Sequence, residues 1–158
     1  MKLKCFVVII SFLLILTGCG VKADSQEKQA NLILDELIVA LENEDASAIK
    51  EMFAEDVQNS IDLDTQIEEM LEYFDGKVIS YEKIGTVAGG ESYDDGVLTY
   101  SRVGNALSNK VTTGVSTYSI SFSAILVDEK NKSREGMWRI WIGKNDDDYL
   151  IIGEREGC

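Results

Sequence analysis

The chain has 158 residues, 45% of them hydrophobic and 27% charged, the balance of one soluble domain rather than of a disordered or fibrous chain. Fifteen basic side chains against 28 acidic ones give a formal charge of −13, which repels nucleic acid and anionic head groups alike. The sequence contains no histidine, which removes the commonest general base and metal ligand and every Ser-His or Cys-His nucleophile arrangement.

The first segment reads as a targeting signal. Lys2 and Lys4 supply a positive start, and Cys5 to Leu16 is an apolar run broken only by Ser11. That run is too short to span a bilayer, which takes roughly 20 apolar residues, but it suits a signal-peptide core. It ends in Leu16-Thr17-Gly18-Cys19. These four residues resemble the lipobox of bacterial lipoproteins, and the resemblance implies a diacylglyceryl thioether on Cys19 and cleavage in front of it. Residues 1–18 are then a lipoprotein signal peptide and residues 19–26 a lipidated, polar tether reaching about 26 Å when extended. Two acyl chains suffice for stable anchoring, so the expected location is the cell membrane, facing its extracytoplasmic side. Loss of residues 1–18 removes two lysines and no acid, leaving 13 basic against 28 acidic side chains and a charge of −15. Such a domain stands off an anionic bilayer. With Cys5 discarded and Cys19 lipidated, Cys158 is left as the sole thiol, so no intrachain disulfide can form and stability must come from a packed core. Cys158 itself reads as a frayed terminal residue, with intermolecular pairing the alternative.

Residues 27–155 form the expected folded domain. From Glu27 to Glu42, Ala30, Ile33, Leu34, Leu37, Ile38 and Leu41 mark one helical face, and Leu32, Val39 and Ala40 widen it, so more than one side of this helix should be covered. Asp45 can cap a second helix carrying Ala46, Ile49, Met52 and Phe53. Thr65 and Glu68 have capping-box spacing ahead of a third, with Ile67, Met70, Leu71 and Phe74 on one face and Gly76 closing it. Beyond Gly76 the period changes from 3.6 to 2. Thr117 to Val127 is the clearest strand, followed by Met137 to Ile142 and Tyr149 to Ile152 around a Gly143–Asp148 hairpin loop. Lys77 to Val87 and Val97 to Val103 are weaker strands joined through Gly89-Gly90 and Asp94-Asp95-Gly96 turn signals, and Gly104 to Thr113 is ambiguous. Helices first and antiparallel strands afterwards predict an α+β fold: three N-terminal helices packed on one face of a curved antiparallel sheet. Trp138 and Trp141 fall on opposite faces of one strand, with Trp141 beside Met137 and Arg139 on the face that a sheet-to-sheet dimer would cover.

This order of elements, with the tight Glu42-Asn43-Glu44-Asp45-Ala46 junction, resembles the cystatin-like cone of the nuclear transport factor 2-like superfamily. Together with the lipobox, the Ala40–Asp45 run and the Gly89-Gly90 and Asp95-Gly96 region, it resembles an uncharacterised family of bacterial lipoproteins carrying that domain. The resemblance implies a pocket between the concave sheet and the helices and a tendency to dimerise through the sheet. It leaves function open, because the superfamily includes isomerases, dehydratases, binding modules and immunity proteins.

Tyr81, Tyr100 and Tyr118 lie on segments that can face the cone and are the pocket candidates, against the plainer reading of half-buried strand aromatics. No acid matches a catalytic position of a particular enzyme family. Asp146-Asp147-Asp148 lacks the central glycine and fixed offsets of a calcium loop and reads as a solvated tip, so no metal site is assigned. The acids Glu68, Glu69, Glu72 and Asp75 read as a solvated helix face. There is no phosphate loop, dinucleotide fingerprint, CxxC or nucleophile elbow, and no cofactor is expected. The expected function is a membrane-anchored, non-catalytic domain binding a small molecule, peptide or protein. One alternative is an isomerase- or hydrolase-type enzyme using Asp or Glu with Tyr in the cone. The other is an acidic immunity or inhibitor protein that steers a basic partner onto itself.

Overall fold

A computed structural model of the chain describes residues 21–60, 62–83, 87–105, 109–145 and 148–153. The leader, Cys19, Asp146, Asp147 and Cys158, on which expectations were placed above, lie outside the described residues.

Among the described residues four helices precede the sheet: α1 (Val21–Glu42), α2 (Ala46–Met52), α3 (Glu55–Ser60) and α4 (Leu63–Tyr73). The apolar period of α1 buries Ala30, Leu34, Leu37, Ile38 and Leu41 as expected, but the helix starts at Val21 and so takes in residues expected to form an extended tether. Asp45 caps α2 through its carboxylate, which accepts from the Ala48 N–H at 2.9 Å. α3 is an addition to the three expected helices, a short turn that buries Val57 and whose Gln58 side chain donates to the Phe53 carbonyl at 2.7 Å. The capping box expected at Thr65 is not formed. α4 begins two residues earlier at Leu63, with Asp62 at the cap position making no side-chain cap bond, because burial of Leu63 beside Ile67 and Met70 sets the helix start.

Seven antiparallel strands follow: β1 (Val78–Glu82), β2 (Val87–Asp94), β3 (Val97–Asn105), β4 (Asn109–Thr113), β5 (Thr117–Asp128), β6 (Gly136–Asn145) and β7 (Asp148–Gly153). β5 is the spine. One of its sides pairs with β4 along its first half and β3 along its second, and its other side pairs with β6, which pairs with β7. β1 and β2 continue the sheet outward from β4 and β3. Gly89-Gly90 is thus not a turn but the middle of β2, where Gly89 faces Val103 and lets α1 come close: a Cβ there would meet the Gln26 side chain at 2.5 Å. The turn lies at Asp95-Gly96, with φ of 46° and 82°, the left-handed pair that a two-residue hairpin requires. The segment 104–113, ambiguous in sequence, ends β3 and supplies β4.

The core forms where the inward residues of the sheet meet the helices: Val111, Tyr118, Ile120, Phe122, Ile140, Ile142 and Ile152 pack with the buried faces of α1, α2 and α4. Among the described residues the buried core residues fall between Ala30 and Ile152. Met137 does not share an outward face with Trp141. A bulge sets Ser123 opposite Arg139 and Ala124 opposite Met137, leaving Trp138 between them, so Met137 and Trp138 are both buried. Trp138 donates from Nε1 to the Arg134 carbonyl at 2.8 Å. Trp141 lies outward between Ser121 and Ile151, with the Arg139 guanidinium 4.9 Å from its ring centre.

Candidate ligand groove

The three candidate tyrosines part company in the structure. Tyr118 is fully buried, and its hydroxyl is spent on the end of α4, accepting from the Asp75 N–H at 2.7 Å and donating to the Tyr73 carbonyl at 3.0 Å. Tyr73 and Phe74 pack on its ring. Tyr81 sits in the same cross-strand row, since both it and Tyr118 pair with Val111. It is partly exposed and donates to the Asp35 carboxylate of α1 at 2.7 Å. Tyr100 pairs with Ser92 and Asp128, ten residues along β5 from Tyr118 and so about 33 Å away. The sheet therefore brings Tyr81 and Tyr118 near each other but not Tyr100.

Tyr118, Ile120 and Phe122 fill the space between helices and sheet where a pocket was expected. Two small spaces remain between α1 and the sheet among the described residues. One is about 120 Å³, reached past Ile33 and Ala124, and the other about 270 Å³, beside Gln26 and Ser101.

The larger opening lies on the other side of α1. Asn43-Glu44-Asp45 turns the chain sharply: the Asp45 N–H donates to the Ala40 carbonyl at 2.9 Å, Glu44 takes a φ of 53°, and the Asn43 side chain donates to the Val39 carbonyl at 2.9 Å. α2 therefore folds back beside α1, and the trough between them encloses about 620 Å³, within the range of ligand sites. Its floor is Val39, Ala40, Ala48 and Met52, and its rim carries the carboxylates of Asp35, Glu36, Asp45 and Glu51. No lysine or arginine lines it. Glu36 and Met52 also line the 120 Å³ space against β5 and β6, which therefore adjoins the trough. Leu32 and Val39, the residues that widen the apolar stripe of α1, are 45% and 55% exposed. The expectation that chain elements cover more than one side of this helix is thus not met at these two residues.

Both walls are braced. The Lys50 ammonium pairs with Asp64 at 2.7 Å and ties α2 to α4. At the other end Asp35 accepts from Tyr81 and pairs with Lys83 at 3.0 Å, tying α1 to β1. Burial acts to raise the Asp35 carboxyl, but hydrogen bonds from Tyr81 and Lys83 and the Lys83 charge outweigh it and hold the group below its ordinary 3.8. The hydrogen bond to Asp35 in turn raises the Tyr81 hydroxyl, with burial adding to it. An Asp–Tyr pair of this kind holds its charge rather than exchanging protons near neutrality, where a general base works best. Among the described residues no group of three or more Cys, Asp or Glu side chains is placed to hold a metal ion, and no helix is long and apolar enough to cross a membrane.

Sequence reasoning missed the trough because Met52 read as part of an ordinary apolar helix face and Ala48 carried no signal of its own. The available signal was α1 itself, apolar on more of its circumference than one packed face needs.

Helices laid on an open, seven-stranded antiparallel sheet define an α+β domain, and the 620 Å³ trough lies outside its core. Residues 36–146 match the family described as the domain of unknown function DUF5104, and the chain belongs to that family. No curated protein shows significant sequence similarity to it.

Proposed function

We propose that the protein is a lipid-anchored binding domain, held at the outer side of the cell membrane through Cys19, whose trough between α1 and α2 receives the ligand. The observation that carries this reading is the trough with its uncovered apolar residues. Val39, 55% exposed, stands beside Ala48 and Met52 in a concavity of ligand size whose walls are fixed by ion pairs. Binding is favoured over catalysis because Asp35, the trough carboxylate that accepts from Tyr81, is held ionised and paired. The superfamily cone suggested by the order of elements belongs to this proposal too, with its interior filled and its binding moved to the outer side of the helices. Pairing of two copies through the outer sheet face is retained as well, since Tyr149 and Ile151 are exposed there beside Trp141. Sedimentation of the domain over a range of concentrations tests that pairing, which a single monomeric species throughout would refute.

Anchoring is tested by mass spectrometry of the N-terminal peptide from host membranes. A diacylglyceryl Cys19 is expected, and an intact leader or a free thiol would refute it. Binding is tested on residues 20–158 with the neutral apolar dye Nile red. We expect saturable fluorescence enhancement that Ala48→Trp abolishes by filling the trough while leaving the thermal transition in place. Enhancement untouched by that substitution would place the apolar site elsewhere.

A further inference from the structure

We infer that the occupant of the trough is a cationic amphipathic helix presented by a partner protein, a deeper reading that rests on the binding function proposed above. The floor asks for apolar side chains, because Val39, Ala48 and Met52 are what an occupant would cover. The rim asks for positive charge. Asp35, Glu36, Asp45 and Glu51 face the trough with no cation among the lining residues, and Lys83 neutralises Asp35 alone. Glu36 and Glu51 stand on facing helices, both exposed and on either side of the floor, so that cations along the two flanks of an inserted helix reach one each. Lysine and arginine suit such a place because their aliphatic stems lie along an apolar floor while their charged ends reach the rim.

The exposed stripe favours a helix as the form of the occupant. Val39 lies in the trough and Leu32, seven residues and about 10.5 Å earlier on α1, lies in the neighbouring depression of about 390 Å³ with Glu27, Lys28 and Asp35, a separation that matches residues two turns apart on a helix laid alongside. The cleft past Glu36 and Met52, about 120 Å³, can take one apolar anchor side chain from such a helix. Two other occupants are disfavoured by the same charges. A second copy placed two-fold over this face would set carboxylates against carboxylates, and an anionic bilayer would be repelled by the rim. The overall charge of −13 adds long-range attraction for a basic partner and speeds encounter, whereas the trough supplies the place where it stops.

The test uses residues 20–158 and three labelled 18-residue peptides followed by fluorescence anisotropy. One is an amphipathic Leu/Lys helix, the second has every Lys replaced by Glu, and the third keeps the Leu/Lys composition in an order with no apolar face. We expect the first to bind at least about tenfold more tightly than either of the others, and its affinity to fall as salt is raised. Glu36→Gln with Glu51→Gln should weaken it about fivefold or more, the combined effect of two exposed ion pairs. Glu68→Gln with Glu69→Gln on the exposed face of α4 should leave it nearly unchanged. Equal loss from both double substitutions, or equal binding of the scrambled peptide, would show only the field of an acidic surface and overturn the inference. Nile red separates the two levels. If the dye occupies the trough but the Leu/Lys helix does not bind, the inference fails and the binding site stands. If the dye is insensitive to Ala48→Trp, the site itself has been misplaced.

Discussion

α1 has two apolar faces that met different fates. The inner one, with Leu34, Leu37, Ile38 and Leu41, is buried in the core shared with the sheet, and the outer one, with Leu32 and Val39, is left exposed. The side chains are chemically alike, so their different exposure reflects where the rest of the chain goes after Asp45, not the residues themselves. An inner apolar residue contributes to folding, whereas an outer one contributes nothing until something lies over it. The sharpest way to break this contrast is to truncate one residue from each face. Leu37→Ala, at a fully buried position, should cost about 2–5 kcal/mol through lost burial and the cavity left behind. Val39→Ala should stay within about 0.5 kcal/mol. Urea unfolding of the two variants checks this, and equal shifts in midpoint would mean that the outer face is covered in solution.

The two tyrosines sharing Val111 repeat the contrast with polar groups. Tyr118→Phe leaves the Asp75 N–H and the Tyr73 carbonyl without their partner at the end of α4, so a loss of about 1–3 kcal/mol is expected. Tyr81→Phe removes one hydrogen bond at a partly exposed rim, where water replaces it, and should cost under about 1 kcal/mol. Thermal denaturation of both proteins compares them. If Tyr81→Phe proved the more damaging, the brace between α1 and β1 would be part of the fold rather than an attachment to it.

Much of this architecture was legible in the residues. The α1 stripe, the Asp45 cap, the alternation of β5 and the Asp95-Gly96 turn are local patterns, and each is where local physics places it. What escaped depended on neighbours distant in sequence. Gly89-Gly90 reads as a turn until β3 lies beside it and Gln26 over it. α3 is six residues long, too short for a period to show. Met137 and Trp138 share the interior only because a bulge against β5 breaks the alternation. The candidate site was half legible for the same reason. Leu32 and Val39 announced a second apolar face, but whether a face is covered is a property of the folded chain. Of the three tyrosines, sequence spacing could not say that one would be consumed by a helix end and another aimed at Asp35.

The smallest expected effect tests how the open face is held in place. The Asp35 carboxyl titrates below its ordinary value in the folded protein, so the stability it contributes is complete above 3.8 and is lost as the pH falls through its folded value. The Tyr81 hydroxyl is raised, so its contribution is complete below 10.0 and is lost as the pH rises through its folded value. The brace should therefore be at full strength across the neutral range and fail at either extreme, by different chemistry at each end. Because Asp35 and Lys83 are both more than a third exposed, solvent screens the pair and the change in overall stability will be slight. A local readout is more telling than a melting curve. In Asp35→Asn the acid-side release should vanish, while the protection of the β1 amides from proton exchange at neutral pH, taken relative to their intrinsic rates, should fall towards that of the parent protein in acid. An unchanged acid profile in that variant would mean that β1 is held at this end by its pairing with β4 alone, and that the wall of the trough nearest Asp35 needs no help from its charge.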